Sequence, residues 1–135
     1  MLMETLSRYE EQVYSLLRIV VGSLFSCHGL QKIFGLFGGA PAEMPLGLLW
    51  TAGLIELMAG ALVALGVYTR PAAFLASGLM AVAYFIAHQA QGLLPIVNRG
   101  ELAVVYAWVF LYIATRGDGI WSVGELAGRG GLETA

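Results

Sequence analysis

Six polar or ionisable side chains lie in or beside apolar runs that should carry none: His28, Gln31, Lys32, Glu56, His88 and Glu101. His28, Gln31 and Lys32 are spaced i, i+3 and i+4, so one face of a helix presents all three. Glu56 stands mid-run on the same stripe as Gly53 and Gly60, His88 closes a third run one turn after Tyr84, and Glu101 opens a fourth. Charges in such runs cost ~3 kcal/mol each on insertion scales and turn towards a bundle interior. A histidine beside a carboxylate in a dry site can relay protons, because imidazole titrates near neutrality and the carboxylate orients it. The same pair suits a quinone, whose ring and tail need an apolar cleft and whose carbonyl oxygens need hydrogen bonds. Tyr84, Trp108 and Tyr112 are the aromatic candidates for lining that cleft. Two histidines and two carboxylates are also metal-ligand types. No HxxxH or ExxH spacing supplies two of them from one helix, so no metal is assigned.

Each residue also has a purely structural reading. Lys32 and Glu56 can form a salt bridge that fixes the bundle. Glu101 suits a helix N-terminus, where the dipole favours an acid. His88 suits an interface, and His28 a buried hydrogen bond. Arg18 is expected to snorkel to the inner interface, and Cys27, the single cysteine, to pack. One cysteine excludes an intramolecular disulfide and paired-cysteine redox chemistry.

The elements that must position these residues are membrane helices. Of the 135 residues 59% are hydrophobic and only 12% charged, against about 25% charged in soluble domains. The mean hydropathy is +0.77. That surface suits lipid rather than water, and a thinly spread net charge of −2 gives nucleic acid nothing to bind. Apolar segments predict four spans at about 13–37, 46–68, 71–90 and 99–116. A polar, Gly-rich tail, 117–135, follows, with Trp121 at the membrane interface. Gly35, Gly38, Gly39, Pro41 and Pro45 break the chain after the first span, and Pro71 fits the first turn of the third. The expected fold is all-α: a single membrane domain forming an antiparallel up-down four-helix bundle. The acidic N-terminus lacks a basic leader region, so the first span is expected to stay. Arg8, Arg18, Arg70, Arg116 and Arg129 fall on the side of the termini, Lys32 and Arg99 on the other, which predicts cytoplasmic termini. Gly22, Gly29, Gly53, Ala59, Gly60, Ala64, Ala73, Ala76, Ser77 and Gly78 give small-residue stripes for close helix packing. Hairpin geometry then brings one histidine and one glutamate from each helix pair towards the face opposite the termini.

The run LRIVVGSLFSCHGLQKIFGLFGG resembles the first helix of the DoxX family, with its Arg, Gly and HGxQKxFG pattern. GLIELMAGALVALGVYTRPAAFLASGLMAVAYFIAH is similar to the family's second and third helices, and NRGELAVVYAWVFLYIATRGDGIWSV to its fourth with the closing W-S. The resemblance covers Leu17 to Val123. Motif positions carried over are Arg18, His28, Gly29, Gln31, Lys32, Gly35, Glu56, Thr69, Arg70, His88, Gly100 and Glu101. Many relatives have an Asp soon after W-S, where this chain has Val123-Gly124-Glu125. The resemblance implies a small four-helix inner-membrane protein akin to quinone-reducing thiosulfate oxidoreductase subunits or to membrane partners in oxidative-stress complexes.

The resulting expectation is an inner-membrane component of a redox or electron-transfer system. It would bind a quinone or similar apolar molecule through His28 and Glu56, with Gln31, Lys32, His88 and Glu101 in support. Whether it is itself an enzyme, as a subunit of a quinone-linked oxidoreductase, stays open. The expected partners are the lipid bilayer, membrane or redox proteins, and copies of itself. A non-enzymatic scaffold subunit is the alternative, and a small-molecule or proton transporter is the third reading.

Overall fold

The computed structural model describes residues 1–40 and 43–128. Pro41 and Arg129, invoked above for a chain break and for charge bias, lie outside them. A short helix α1 (Leu2–Ser7) precedes α2 (Glu10–Phe34), which carries Glu10 and Glu11 in its first turn and Lys32 in its last, matching the helix dipole. α2 ends at Gly35, whose φ of 67° lets its N–H turn back to the Gln31 carbonyl. α3 (Leu46–Leu65) begins after Pro45 and stops at Gly66, with φ 71°. α4 (Thr69–Ala83) starts with Pro71 in its first turn and runs on through a π turn, Tyr84–His88, and a 3-10 turn, Gln89–Gln91. α5 (Pro95–Asn98), α6 (Glu101–Arg116) and α7 (Val123–Leu126) complete the chain. Among the described residues there is no strand.

Three stretches, Glu10–Phe34, Leu46–Leu65 and Thr69–Gln91, are long and apolar enough to cross a membrane. The fourth bundle helix, α6, has 16 residues, a length of about 24 Å. It begins at Glu101 because Arg99 takes φ 60° and breaks the chain there. Leu16, Val20, Leu24, Leu54, Met58, Phe74, Leu75, Val82 and Trp108 all face outward. An exterior this apolar is the surface of a membrane protein.

α2 packs most closely on α3 and α4 on α6, and α3 against α4 joins the pairs. The α2–α3 contact is set by glycine. A Cβ on Gly22 would stand 2.6 Å from the Ala64 nitrogen, and one on Gly29 2.7 Å from the Gly53 oxygen while overlapping the Leu57 nitrogen. Ser77 Oγ donates to the Ala107 carbonyl at 2.7 Å, tying α4 to α6. Phe25, Phe110, Val63 and Ile113 fill the centre with no exposed surface, over a floor of Ala59, Ala73 and Ala76.

At the end bearing the termini, Arg18 does not snorkel. It is fully buried, and its guanidinium donates to the carbonyls of Val63 (2.7 Å), Ala64 (2.7 Å) and Trp121 (2.9 Å). The last turn of α3 leaves carbonyls without intrahelical partners, and a charged donor satisfies them in a dry site. The tail folds back over this point. Gly124 N–H donates to the Gly66 carbonyl at 3.0 Å, Ser15 Oγ to Ile120 at 2.6 Å and the Tyr14 hydroxyl to Gly117 at 2.5 Å. Trp121 itself is half exposed.

Candidate functional site

The opposite end of the bundle holds a cavity of about 280 Å³. The C-terminal part of α2 contributes Phe25, His28 and Lys32 to its wall, and the approach to α3 and its first turns contribute Met44, Leu48, Ala52 and Glu56. The end of α4 and the π turn supply Met80, Ala83, Ile86 and His88, and Arg99, Leu102, Ala103 and Tyr106 close it. Its wall is mostly hydrocarbon, and Val82, Ile86 and Leu102 are lining residues that also face outward, so it reaches the bundle surface.

Lys32 and Glu56 form the polar floor. The ammonium donates to both carboxylate oxygens, at 2.7 and 2.5 Å, with side chains 11% and 4% exposed. The close α2–α3 contact at Gly29 and Gly53 brings these two side chains within reach of each other, since a Cβ on Gly53 would touch Lys32 and Ile33. A pair this dry neutralises itself and leaves a dipole in the cavity rather than a net charge. His28 sits one turn before Lys32, edge-on to Tyr106 with ring centroids 6.0 Å apart. Tyr106 in turn stacks on Phe110 (5.7 Å) and leans on Phe25 (5.4 Å), so an aromatic wall backs the histidine.

His88 comes from the π turn. Its Nδ1 donates to the Asn98 carbonyl at 3.1 Å, a carbonyl being able only to accept. Asn98 is fully buried and acts as a hub. Its Nδ2 donates to Gly92 O (2.7 Å) and to the Tyr84 hydroxyl (3.1 Å), and its Oδ1 accepts the Gly100 N–H (2.8 Å). The Tyr84 hydroxyl donates to Leu93 O at 2.5 Å. This web holds the connection to α6 against the end of α4.

Of the six polar residues singled out from sequence, His28, Lys32, Glu56 and His88 line the cavity. Gln31 points to the α2 exit, its Nε2 donating to Phe37 O at 3.3 Å, and Glu101 is exposed in the first turn of α6. Neither lines the cavity, and neither do the three aromatics expected there. Tyr84 is turned into the Asn98 web. Trp108 is 68% exposed on the outer face of α6, and Tyr112 packs edge-on to Tyr14 near the termini. The aromatic that α6 does present to the cavity is Tyr106. It shares a helix face with buried Ala103 and Phe110, whereas Trp108 and Tyr112 share the other i, i+4 stripe. Asn98 and Arg99 are further residues of this end that spacing does not single out. Their nearest sequence signal is Asn98-Arg99-Gly100, a turn-forming cluster. Among the described residues no three His, Cys, Asp or Glu side chains converge on a metal-ligand geometry. Cys27 is half-buried.

Comparison with known proteins adds two findings. The family model described as DoxX matches residues 13–89. A Haemophilus influenzae protein described as "Uncharacterized protein" is 41% identical over 127 residues, which span 87% of this chain and 92% of the relative. No solved structure matches.

Proposed function

This chain belongs to the DoxX family of membrane proteins, and from that premise we propose that it is a component of a redox or electron-transfer system that binds a quinone in the cavity beside His28. The carrying observation is the composition of that cavity: an apolar wall open at the bundle surface, with His28, His88, Arg99 and the self-neutralised Lys32–Glu56 pair among its polar points. A volume of about 280 Å³ suits a single substituted ring. It lies just under the range of small-molecule sites, which starts at about 300 Å³. A polyisoprenoid tail would leave past Val82, Ile86 and Leu102 into lipid.

The basic residues support an orientation. Arg8, Arg18, Arg70 and Arg116 lie towards the termini and Lys32 and Arg99 towards the cavity end. The positive-inside bias then puts both termini in the cytoplasm and the cavity in the outer half of an inner membrane. The glycines of α2 and α3 that could serve a scaffold reading pack within the chain, while Gly78 on α4 has nothing within 4 Å.

Binding is tested by titrating the protein in nanodiscs with a short-chain quinone. The expected result is saturable binding that His28→Ala and Glu56→Ala each weaken while the helical content holds. Absence of binding, or variants indistinguishable from the parent, would remove the proposal.

A further inference from the structure

The polarity of the one side-chain hydrogen bond of His88 bears on which redox form the cavity takes. Its Nδ1 lies 3.1 Å from the Asn98 carbonyl, so Nδ1 must carry the hydrogen. A neutral imidazole has one N–H, and the nitrogen that carries it is set by the partner of the other. In that neutral form Nε2 presents a lone pair. His88 is a lining residue of the cavity, and its Nε2 has no hydrogen-bond partner among the described residues. A quinone oxygen has no hydrogen to offer there and would set lone pair against lone pair. A quinol hydroxyl has one.

Resting on the reading of the cavity as a quinoid site, we propose that it is built for the reduced, hydroxyl-bearing form, and that His88 Nε2 accepts the hydrogen bond of a quinol O–H. Asn98 is the positioning residue. Its side chain is held by Gly92, Tyr84 and Gly100, so the carbonyl that fixes the tautomer of His88 cannot swing away without breaking that web. The π turn at Tyr84–His88 contributes as well, because its extra residue per turn changes the direction in which His88 leaves the helix. Donors for the second oxygen of the ring stand elsewhere in the wall. Lys32 has an N–H beyond the two committed to Glu56, and His28 makes no hydrogen bond among the described residues. The proposal concerns binding polarity alone and requires no electron transfer.

The test titrates the protein in nanodiscs, under argon, with trimethylhydroquinone and separately with its oxidised form, trimethylbenzoquinone, against empty nanodiscs. The hydroquinone is expected to bind tighter by on the order of tenfold, the size of one well-made hydrogen bond. His88→Phe is expected to erase the preference while still binding the quinone. His88→Gln, which puts an amide oxygen near the former Nε2, is expected to retain part of it. A second measurement uses the unaltered protein: ¹⁵N shifts of the two His88 ring nitrogens. Protonated Nδ1 and bare Nε2 are expected. Equal affinity for the two forms, or a proton on Nε2, overturns this inference and leaves a quinone site standing. Failure of both molecules to bind removes the quinone site with it.

Discussion

Lys32 and Glu56 give the sharpest separation of stability from binding. Their side chains are 11% and 4% exposed and share two short hydrogen bonds. Lys32→Met would keep the length of the side chain and strand the carboxylate in the interior. Breaking a buried pair by removing one partner costs about 3–5 kcal/mol. Access from the cavity softens that, so about 3 kcal/mol is expected, roughly a hundredfold in the folding constant. The double variant Lys32→Met/Glu56→Leu removes both charges at similar volume and is expected to return to within about 1 kcal/mol of the parent, because apolar replacements of buried pairs are close to neutral. The assay is reversible unfolding in mixed micelles, followed by circular dichroism, with quinone titration of the same samples. The double variant should fold well and bind poorly. A double variant no more stable than the single one would refute the argument that the lost stability is the isolated charge.

Three further outcomes follow from the packing. Gly29→Ala should cost about 1–3 kcal/mol in thermal unfolding, because the new methyl overlaps the α3 backbone, whereas Gly78→Ala, with nothing within 4 Å, should be near neutral. Arg18→Met removes the donor to Val63, Ala64 and Trp121, and should cost on the order of 3 kcal/mol. Limited proteolysis should then cut near Trp121 sooner than in the parent. Asn98→Ala should cost about 2 kcal/mol and speed hydrogen exchange in residues 92–100 while leaving α2 and α3 protected.

Hydropathy makes the all-α membrane architecture legible, because apolar runs and glycine or proline punctuation are local signals. The i, i+3, i+4 spacing of His28, Gln31 and Lys32 is legible for the same reason, but it cannot say which of three residues on one face turns inward. Gln31 bonds to its own helix exit, while Lys32 meets Glu56 because Gly29 and Gly53 let the helices touch. Arg18 looks like a snorkelling residue until the tail is known to fold back over the end of α3. That is a contact across more than a hundred residues with no periodicity to announce it. Trp108 and Tyr112 are prominent as residue types, yet the helix phase of α6 turns Tyr106 inward instead. The role of Asn98 depends on a π turn and on Arg99 at positive φ, and neither has a composition signal.

The central claim is that a quinoid ring sits between the helices beside His28 and His88. A photoreactive short-chain quinone, irradiated with the protein in nanodiscs and followed by peptide mass spectrometry, tests it most directly. Labelling of the segments that carry His28, Glu56 and His88, suppressed by excess unlabelled quinone, is the expected result. Labelling spread over lipid-facing positions such as Leu16, Phe74 and Trp108, unaffected by competitor, would contradict it.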